Sequence, residues 1–125
     1  MGLILLDTNI IIYLSKRELS SQEVFFKEDE YAVSLVTYME VLGFKFQNSE
    51  EERFVKKLLS YFTILSIEKE IADQTVELRK KYKIKLPDAI ICATAIVNDA
   101  ILITNDFRLD VVKEVDIIHI KKGER

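Results

Sequence analysis

The chain has 125 residues, close to the commonest size of a domain, so we expect residues 1–125 to form a single domain around one core. Hydrophobic residues make up 49% and charged residues 31%, which excludes a disordered or collagen-like chain. The net charge of −3 gives the chain no overall attraction for a polyanion, so such a partner must be held locally or through metal. One cysteine, Cys92, excludes a disulfide framework and a cysteine-built zinc site.

The start of the chain predicts neither a secretion signal nor a membrane span. Its apolar run has no basic residues ahead of it and is interrupted by Asp7. Together with the single cysteine, this pattern favours a protein of the reducing cytoplasm with no membrane partner.

Strand and helix patterns alternate through the first half of the chain. Residues 3–6 are continuously apolar, which is typical of a strand covered on both faces. Asp7 and the two residues after it predict the cap of a helix whose apolar positions continue to Leu14. The segments that follow predict a second helix over 20–27, a short strand over 31–34 and a third helix over 36–46.

The alternation continues through the second half. Ser49 and three glutamates after it predict a helix start, because acids complement the helix dipole. The later elements are a strand over 62–65, an amphipathic helix over 68–82, an apolar helix over 88–98 with Pro87 in its first turn, and strands over 100–104 and 117–120. Such alternation predicts βαβ crossovers and an α/β fold, a three-layer α/β/α sandwich with a central parallel sheet. If strands one to three extend the sheet one way and strand four returns beside strand one, as in the order 3-2-1-4-5, a crevice opens between the ends of strands one and four.

Four carboxylates stand next to apolar elements of this fold. Asp7 follows the first strand, Glu40 lies within the third helix, Asp88 opens the apolar helix, and Asp106 follows the fourth strand. An acid at the edge of a core is costly unless it is hydrogen-bonded, paired or bound to metal. A hard divalent cation is the simplest explanation that the four placements share.

Each acid also has a purely structural interpretation. Asp7 suits a helix N-cap, Asp88 is favoured by the positive end of a helix, and Asp106 suits an Asx turn after its strand. Asp110 is close enough in sequence to act as an auxiliary acid, although a solvated role fits it better.

Glu40 has two interpretations that the pattern leaves open. If Thr37 is the cap, the spacing is that of a capping box, in which Glu40 reaches back to the cap amide. If Ser34 is the cap, Glu40 falls in the second turn and faces inward among Val36, Met39, Gly43 and Phe44, an apolar stripe at helical spacing.

A basic segment precedes Asp88. It can be interpreted either as the solvated end of a helix or as a rim that grips phosphates beside the acids. Its cations are Arg79, Lys80, Lys81, Lys83 and Lys85. His119 is the only histidine and lies in an apolar strand, so a histidine-based nucleophilic triad has little support.

Four short motifs together resemble the PIN-domain family in order and spacing, and they extend over nearly the whole chain. The resemblance is closest to the small toxins of VapBC toxin–antitoxin systems. Many of these relatives carry Gly shortly before the Pro-Asp step, where this chain has Lys83-Ile84-Lys85, so the resemblance does not carry over the loop shape there. The motifs are Leu6-Asp7-Thr8-Asn9, Ser34-x-x-Thr37-x-x-Glu40, Leu86-Pro87-Asp88-Ala89 and Leu102-Ile103-Thr104-Asn105-Asp106.

The resemblance assigns all four acids to a catalytic Mg²⁺ or Mn²⁺ site, and within it we expect Asp7, Asp88 and Asp106 to hold the ion. Glu40 would then ligate the ion or orient the attacking water, and Asn9 and Thr104 would be supporting polar residues. It also implies a metal-dependent endoribonuclease that leaves a 5′-phosphate and a 3′-hydroxyl. A homodimer is implied, together with a cognate antitoxin whose C-terminal segment occupies the active-site groove.

Two other functions remain open from the residues alone. One is an aspartyl-phosphate phosphatase or phosphotransferase with Asp7 as the nucleophile, although that class usually has a second acid where this chain has Asn9. The other is a non-catalytic module that binds RNA or protein through the basic segment.

Overall fold

The structure, a computed structural model, describes residues 2–25 and 30–120, and five parallel strands form its central sheet. The sheet order is β3-β2-β1-β4-β5, which confirms the predicted order. Each neighbouring pair is parallel, so the carboxyl ends of all five strands lie at one edge of the sheet. The strands are β1 (Leu3–Leu6), β2 (Glu30–Ser34), β3 (Thr63–Leu65), β4 (Ile101–Thr104) and β5 (Asp116–His119).

Helices connect successive strands as the alternation predicts. A short 3₁₀ helix, Phe107–Val111, replaces an α-helix between β4 and β5. The predicted second helix extends to residue 27, but residues 26 and 27 lie outside the described part of the chain. The helices are α1 (Thr8–Ser15), α2 (Ser21–Val24), α3 (Leu35–Leu42), α4 (Ser49–Leu59), α5 (Lys69–Lys81) and α6 (Leu86–Val97).

Alternate residues of the inner strands point to opposite faces of the sheet, and each face has its own core. Leu5 and Leu102 are fully buried against α5 and α6. Ile4, Leu6 and Ile103 are buried on the other face against residues of α1, α3 and α4. Because side chains alternate along a strand, a strand covered on both faces is apolar at every position. The two cores confirm the predicted three-layer α/β/α sandwich.

The third helix is shorter than predicted. It ends at Leu42 rather than at residue 46, and the amide of Gly43 caps it by donating to the carbonyls of Met39 and Val41. A Cβ at residue 43 would lie 3.1 Å from the Met39 carbonyl oxygen, a tight contact that glycine avoids. The apolar periodicity therefore continues beyond the hydrogen-bonded helix.

The sixth helix begins earlier than predicted. Its first residue is Leu86, with Lys85 at the N-cap and Pro87 within the first turn. Proline is tolerated there because the first amides of a helix have no partner within it. Asp88 is consequently the third residue of the helix and still lies at its positive end.

No helix in residues 2–25 and 30–120 is long and apolar enough to cross a membrane.

Candidate active site at the carboxyl edge of the sheet

Asp7 lies where the strand order reverses, between the ends of β1 and β4. Its backbone amide donates to the carbonyl of Ile103 at 3.0 Å, and the residue as a whole is only 7% exposed. One carboxylate oxygen accepts from the amide of Thr8 at 2.7 Å, and the other accepts from the hydroxyl of Thr104 at 2.6 Å. Asp7 is thus the N-cap of α1, as its structural interpretation predicts, and it also faces the crevice between the two strands.

The environment of Asp7 disfavours its charged form. Burial is the main cause that raises the pKa of this carboxyl, and the hydrogen bonds from Thr104 and Thr8 only partly offset it. The charges of Asp88 and Asp106 raise the pKa further. Three acids from distant stretches of the chain therefore lie close enough to repel one another.

Asp88 lies half-buried in the first turn of α6 and interacts with the other acids of the site. Burial raises the pKa of its carboxyl, and the charges of Asp106 and Glu40 raise it further. Arg108 and Lys85 act in the opposite direction. Asp88 is therefore an acid whose ionised form needs a nearby positive charge.

Asp106 differs from the other two aspartates because an arginine neutralises it. Its Oδ1 accepts from the backbone amide and from Nε of Arg108, both at 3.0 Å, and its Oδ2 accepts from Nη2 at 2.7 Å. The Arg108 side chain holds the pKa of the Asp106 carboxyl below its usual range. The bond to the amide two residues later is the Asx turn that the sequence suggests.

Sequence reasoning missed Arg108 as a component of the site. The signal was available, since an Asx turn brings the residue two positions after the aspartate next to its carboxylate. A basic residue at that position is therefore close to Asp106 whatever the rest of the fold does.

Glu40 lies in the second turn of α3, as the Ser34-cap alternative predicts, but its side chain does not face inward. Ser34 rather than Thr37 is the N-cap of α3, and its Oγ accepts from the Thr37 amide at 3.1 Å, so the capping-box prediction is wrong. The inward-facing prediction is also wrong, because Glu40 is exposed. Of the other members of the apolar stripe, Met39 and Phe44 are exposed and only Val36 is buried.

Thr8 connects Glu40 to the start of α1. Its hydroxyl donates to Oε1 of Glu40 at 2.6 Å and lies 3.1 Å from the hydroxyl of Thr37. A hydroxyl has one proton, so Thr37 donates to Thr8 while Thr8 donates to Glu40. Thr37 is fully buried, and this pair of hydroxyls anchors an otherwise solvent-exposed carboxylate. Both threonines stand in the motifs named above, but sequence reasoning did not predict their contact with each other or the bond from Thr8 to Glu40.

The basic segment lies mostly away from the acids. Lys81 pairs with Glu114 at 2.8 Å, and Lys80 lies 3.8 Å from Glu77. These lysines, with Arg79, occupy the last turn of α5, where cations complement the helix dipole. Lys83 is exposed beyond that turn, and Lys85 is the cation of this segment whose charge lowers the pKa of Asp88.

Three further residues lie around the site. Asn9 is exposed in the first turn of α1. Asp110 lies 2.7 Å from Nε2 of His119, and the His119 ring stacks on Phe107 with 4.0 Å between centroids. The charge of His119 contributes to the lowered pKa of Asp106. His119 therefore borders the site from β5, in contact with the Asp110 carboxylate and the Phe107 ring.

The donor chemistry suits a hard divalent cation, but the side chains do not form a closed coordination set as they stand. Asp7, Asp88 and Asp106 offer carboxylate oxygens, which Mg²⁺ prefers, and their repulsion would be relieved by positive charge. Across residues 2–25 and 30–120, however, no three His, Cys, Asp or Glu side chains are grouped closely enough to hold an ion. Both oxygens of Asp106 accept hydrogen bonds from Arg108.

The fold and this edge define an α/β protein whose site lies at the strand-order reversal of a five-strand parallel sheet. The sequence matches the family profile described as PIN domain over residues 4–115. The chain therefore belongs to the PIN-domain family, as the four motifs predict. A search of curated protein sequences found no match.

Solved structures agree with this fold. A chain of a toxin–antitoxin complex from Klebsiella pneumoniae is 37% identical, with a TM-score of 0.78 and coverage of 92% of this chain and 95% of that chain. A chain of VapBC2 from Rickettsia felis, bound to a DNA fragment from its promoter, is 20% identical with a TM-score of 0.81, covering 95% and 99%. A chain of VapBC-1 from Haemophilus influenzae is 24% identical with a TM-score of 0.77, covering 94% and 97%.

Proposed function

We propose that this protein is a divalent-metal-dependent endoribonuclease and the toxin of a toxin–antitoxin pair. The observation that carries the proposal is the placement of Asp7, buried at the strand-order reversal and within electrostatic range of Asp88 and Asp106. Membership of the PIN-domain family, whose members are generally nucleases, supports hydrolysis of a nucleic acid. The 37% identity to a chain of a toxin–antitoxin complex supports the biological role.

In this proposal Asp7, Asp88 and Asp106 hold Mg²⁺ or Mn²⁺. Such an ion, when bound, neutralises the three carboxylates, acidifies a water for attack on phosphorus and stabilises charge on the leaving oxygen. Thr104 fixes the orientation of Asp7, because its hydroxyl donates to one carboxylate oxygen from the end of β4. Asp88 enters from the positive end of α6, which favours its ionised form.

Glu40 has a separate task in this proposal. Its carboxylate is exposed, so it is accessible to a water and to the RNA backbone. Thr8 holds Oε1 of Glu40, and Oε2 remains available to accept a proton from the attacking water and orient it. Asn9, exposed one residue after Thr8, is proposed to contact the RNA or a bound water.

The basic segment supplies contacts to RNA phosphates in the proposal. Lys85 is the best placed of the five cations, because its charge already acts on Asp88. Lys80 and Lys81 are partly engaged by glutamates, so they would have to leave Glu77 and Glu114 to bind phosphate. Arg79 and Lys83 are exposed and retain a proposed supporting role.

The proposed partners follow from the toxin role. They are a cognate antitoxin and a second copy of this chain in a homodimer, with action in the cytoplasm, where its RNA substrates are. The proposal of an antitoxin partner is supported by the similarity of this protein, over 92% of its length, to one chain of a Klebsiella pneumoniae toxin–antitoxin complex.

The two alternative functions have less support. Enzymes that form an aspartyl phosphate usually have a second acid two residues after the nucleophile, whereas this chain has Asn9 two residues after Asp7. A non-catalytic binding module has no need of neighbouring acids whose charges raise the pKa of Asp7 and of Asp88 at the site. Such a module would also bind RNA equally well in EDTA.

The experiment is cleavage of single-stranded RNA by the purified chain in Mg²⁺, Mn²⁺ or EDTA, with the ends of the products identified. We expect cleavage only with metal, products with a 5′-phosphate and a 3′-hydroxyl, and loss of cleavage in Asp88→Asn. Asp116→Asn, an exposed aspartate on β5, is the matched control and should keep wild-type activity. Cleavage in EDTA, or products with a 2′,3′-cyclic phosphate, would contradict the metal-dependent mechanism.

A further inference from the structure

We propose that Arg108 occupies two positions: in the metal-free chain its guanidinium takes the place of the cation on Asp106, and with metal bound it moves to an RNA phosphate. This inference rests on the proposed function, since it concerns how the same site binds metal and substrate. It assigns Arg108 a positioning role before metal binds and a substrate-binding role afterwards.

The first position is visible in the hydrogen bonds. Nε and Nη2 of Arg108 donate to different oxygens of Asp106, at 3.0 and 2.7 Å, in the parallel geometry that guanidinium and carboxylate favour. The Arg108 amide adds a third bond to Oδ1 at 3.0 Å. Arg108 therefore holds Asp106 in a contact that competes with coordination of a metal ion.

The surroundings of the guanidinium allow it to leave. The Arg108 side chain is 76% exposed, whereas that of Asp106 is 19% exposed. An ion pair with one partner in solvent contributes little net stability, because water solvates the released cation. Arg108 provides a single positive charge near Asp106 and Asp88. A divalent ion would provide two positive charges in its place. Metal binding and departure of the arginine are thus coupled by charge.

The second position follows from what a released guanidinium would bind. It needs an anion with two acceptors in one plane, and phosphate is the group of this kind that RNA offers. Arg108 is two residues from Asp106, so a phosphate that it binds lies at or next to the one being hydrolysed. The chain carries a net charge of −3 and acids at its site, so a cation at this point offsets repulsion of the RNA.

The first arm of the test measures Mn²⁺ binding without RNA by calorimetry. Arg108→Gln removes the competing charge, and we expect its affinity for Mn²⁺ to rise by about 2- to 5-fold, the range that an exposed ion pair is worth. Arg108→Lys keeps the charge without the two-point contact and should lie between Arg108→Gln and wild type. Arg53→Gln, an exposed arginine of α4, is the control for net charge and should bind like wild type.

The second arm measures binding of single-stranded RNA in the Glu40→Gln background, in which cleavage is expected to be lost. With Mn²⁺ present, we expect Arg108→Gln to weaken binding by about tenfold, as for loss of one charge-assisted contact, and to lower the salt slope by about 1. In EDTA the same substitution should change binding much less, because Arg108 is then engaged with Asp106.

The outcomes separate this inference from the proposed function. No Mn²⁺ binding by wild type, or binding that Asp88→Asn leaves intact, would contradict the metal site itself. Mn²⁺ binding that depends on Asp88 but is no stronger in Arg108→Gln than in Arg53→Gln would overturn only the role of Arg108. Equal loss of RNA binding with and without Mn²⁺ would also overturn it, because Arg108 would then contact RNA without having to leave Asp106.

Discussion

The hydroxyl of Thr104 donates a 2.6 Å hydrogen bond to Oδ2 of Asp7, and this bond joins the end of β4 to the end of β1. The same hydroxyl oxygen accepts from the amide of Asp106 at 3.0 Å. One buried side chain therefore orients two of the acids proposed to bind metal. Strands adjacent in the sheet but 97 residues apart in sequence meet at this point.

We expect Thr104→Val to destabilise the metal-free protein by about 1–3 kcal/mol at pH 7, because it leaves a buried carboxylate without one of its donors. Thr104→Ser keeps the hydroxyl and removes one methyl group, so its cost should be about 0.8 kcal/mol. Urea unfolding in EDTA measures both. Equal stability of the two variants would show that the bond to Asp7 contributes nothing measurable.

Asp7→Asn should raise the melting temperature in EDTA at pH 7 by about 3 °C, roughly 1 kcal/mol, because burial of the charge is the main cause of its raised pKa. In Mg²⁺ the order should reverse, since a bound ion stabilises the wild type by mass action and the variant loses a ligand. Thermal melts with and without Mg²⁺ test both statements. A lower melting temperature in EDTA would instead indicate that the bonds to Thr8 and Thr104 outweigh the cost of burial.

The stability advantage of Asp7→Asn over wild type should also depend on pH. The folded chain binds a proton at Asp7 more tightly than the unfolded chain, so protonation stabilises the fold as pH falls through the raised pKa toward 3.8. The difference in unfolding free energy between Asp7→Asn and wild type should therefore be largest near pH 7 and should decrease as the pH falls toward 4. The pKa of Asp106 is shifted in the opposite direction, so the stability that its ionised form contributes is lost only as the pH falls below 3.8. That loss lies outside the range of pH 4 to 7. A difference that stays constant across a pH series in EDTA would contradict the assigned shift.

Thr8→Val should lower kcat for RNA cleavage by about tenfold with little change in KM, because Glu40 loses the bond that holds one of its oxygens. Thr8→Ser should retain most of the activity, and both variants should melt near the wild-type temperature. Steady-state kinetics on one RNA substrate provide the comparison. If Thr8→Ser is as impaired as Thr8→Val, the hydroxyl is not what positions Glu40.

Much of the fold could be predicted because its signals are local. Residues 3–6 are apolar at every position, and this pattern predicts a strand covered on both faces before any partner is known. Asp7 and Asp106 could be placed at one edge because the carboxyl ends of parallel strands share an edge. The predicted end of α3 was wrong because apolar periodicity indicates which face of a helix is buried, whereas the helix ends at the glycine that caps it.

The sequence by itself determined the parallel α/β fold and the presence of acids at the ends of its strands, because periodicity and chain order carry that information, while the strand order followed from the resemblance to the PIN-domain family. Tertiary structure decided how those acids are oriented and neutralised. Glu40 faces solvent and binds Thr8, a residue 32 positions away, and no pattern within α3 contains that contact. The orientation of a side chain depends on partners that folding brings from distant parts of the chain. Local sequence patterns do not contain those partners, so they do not predict the orientation.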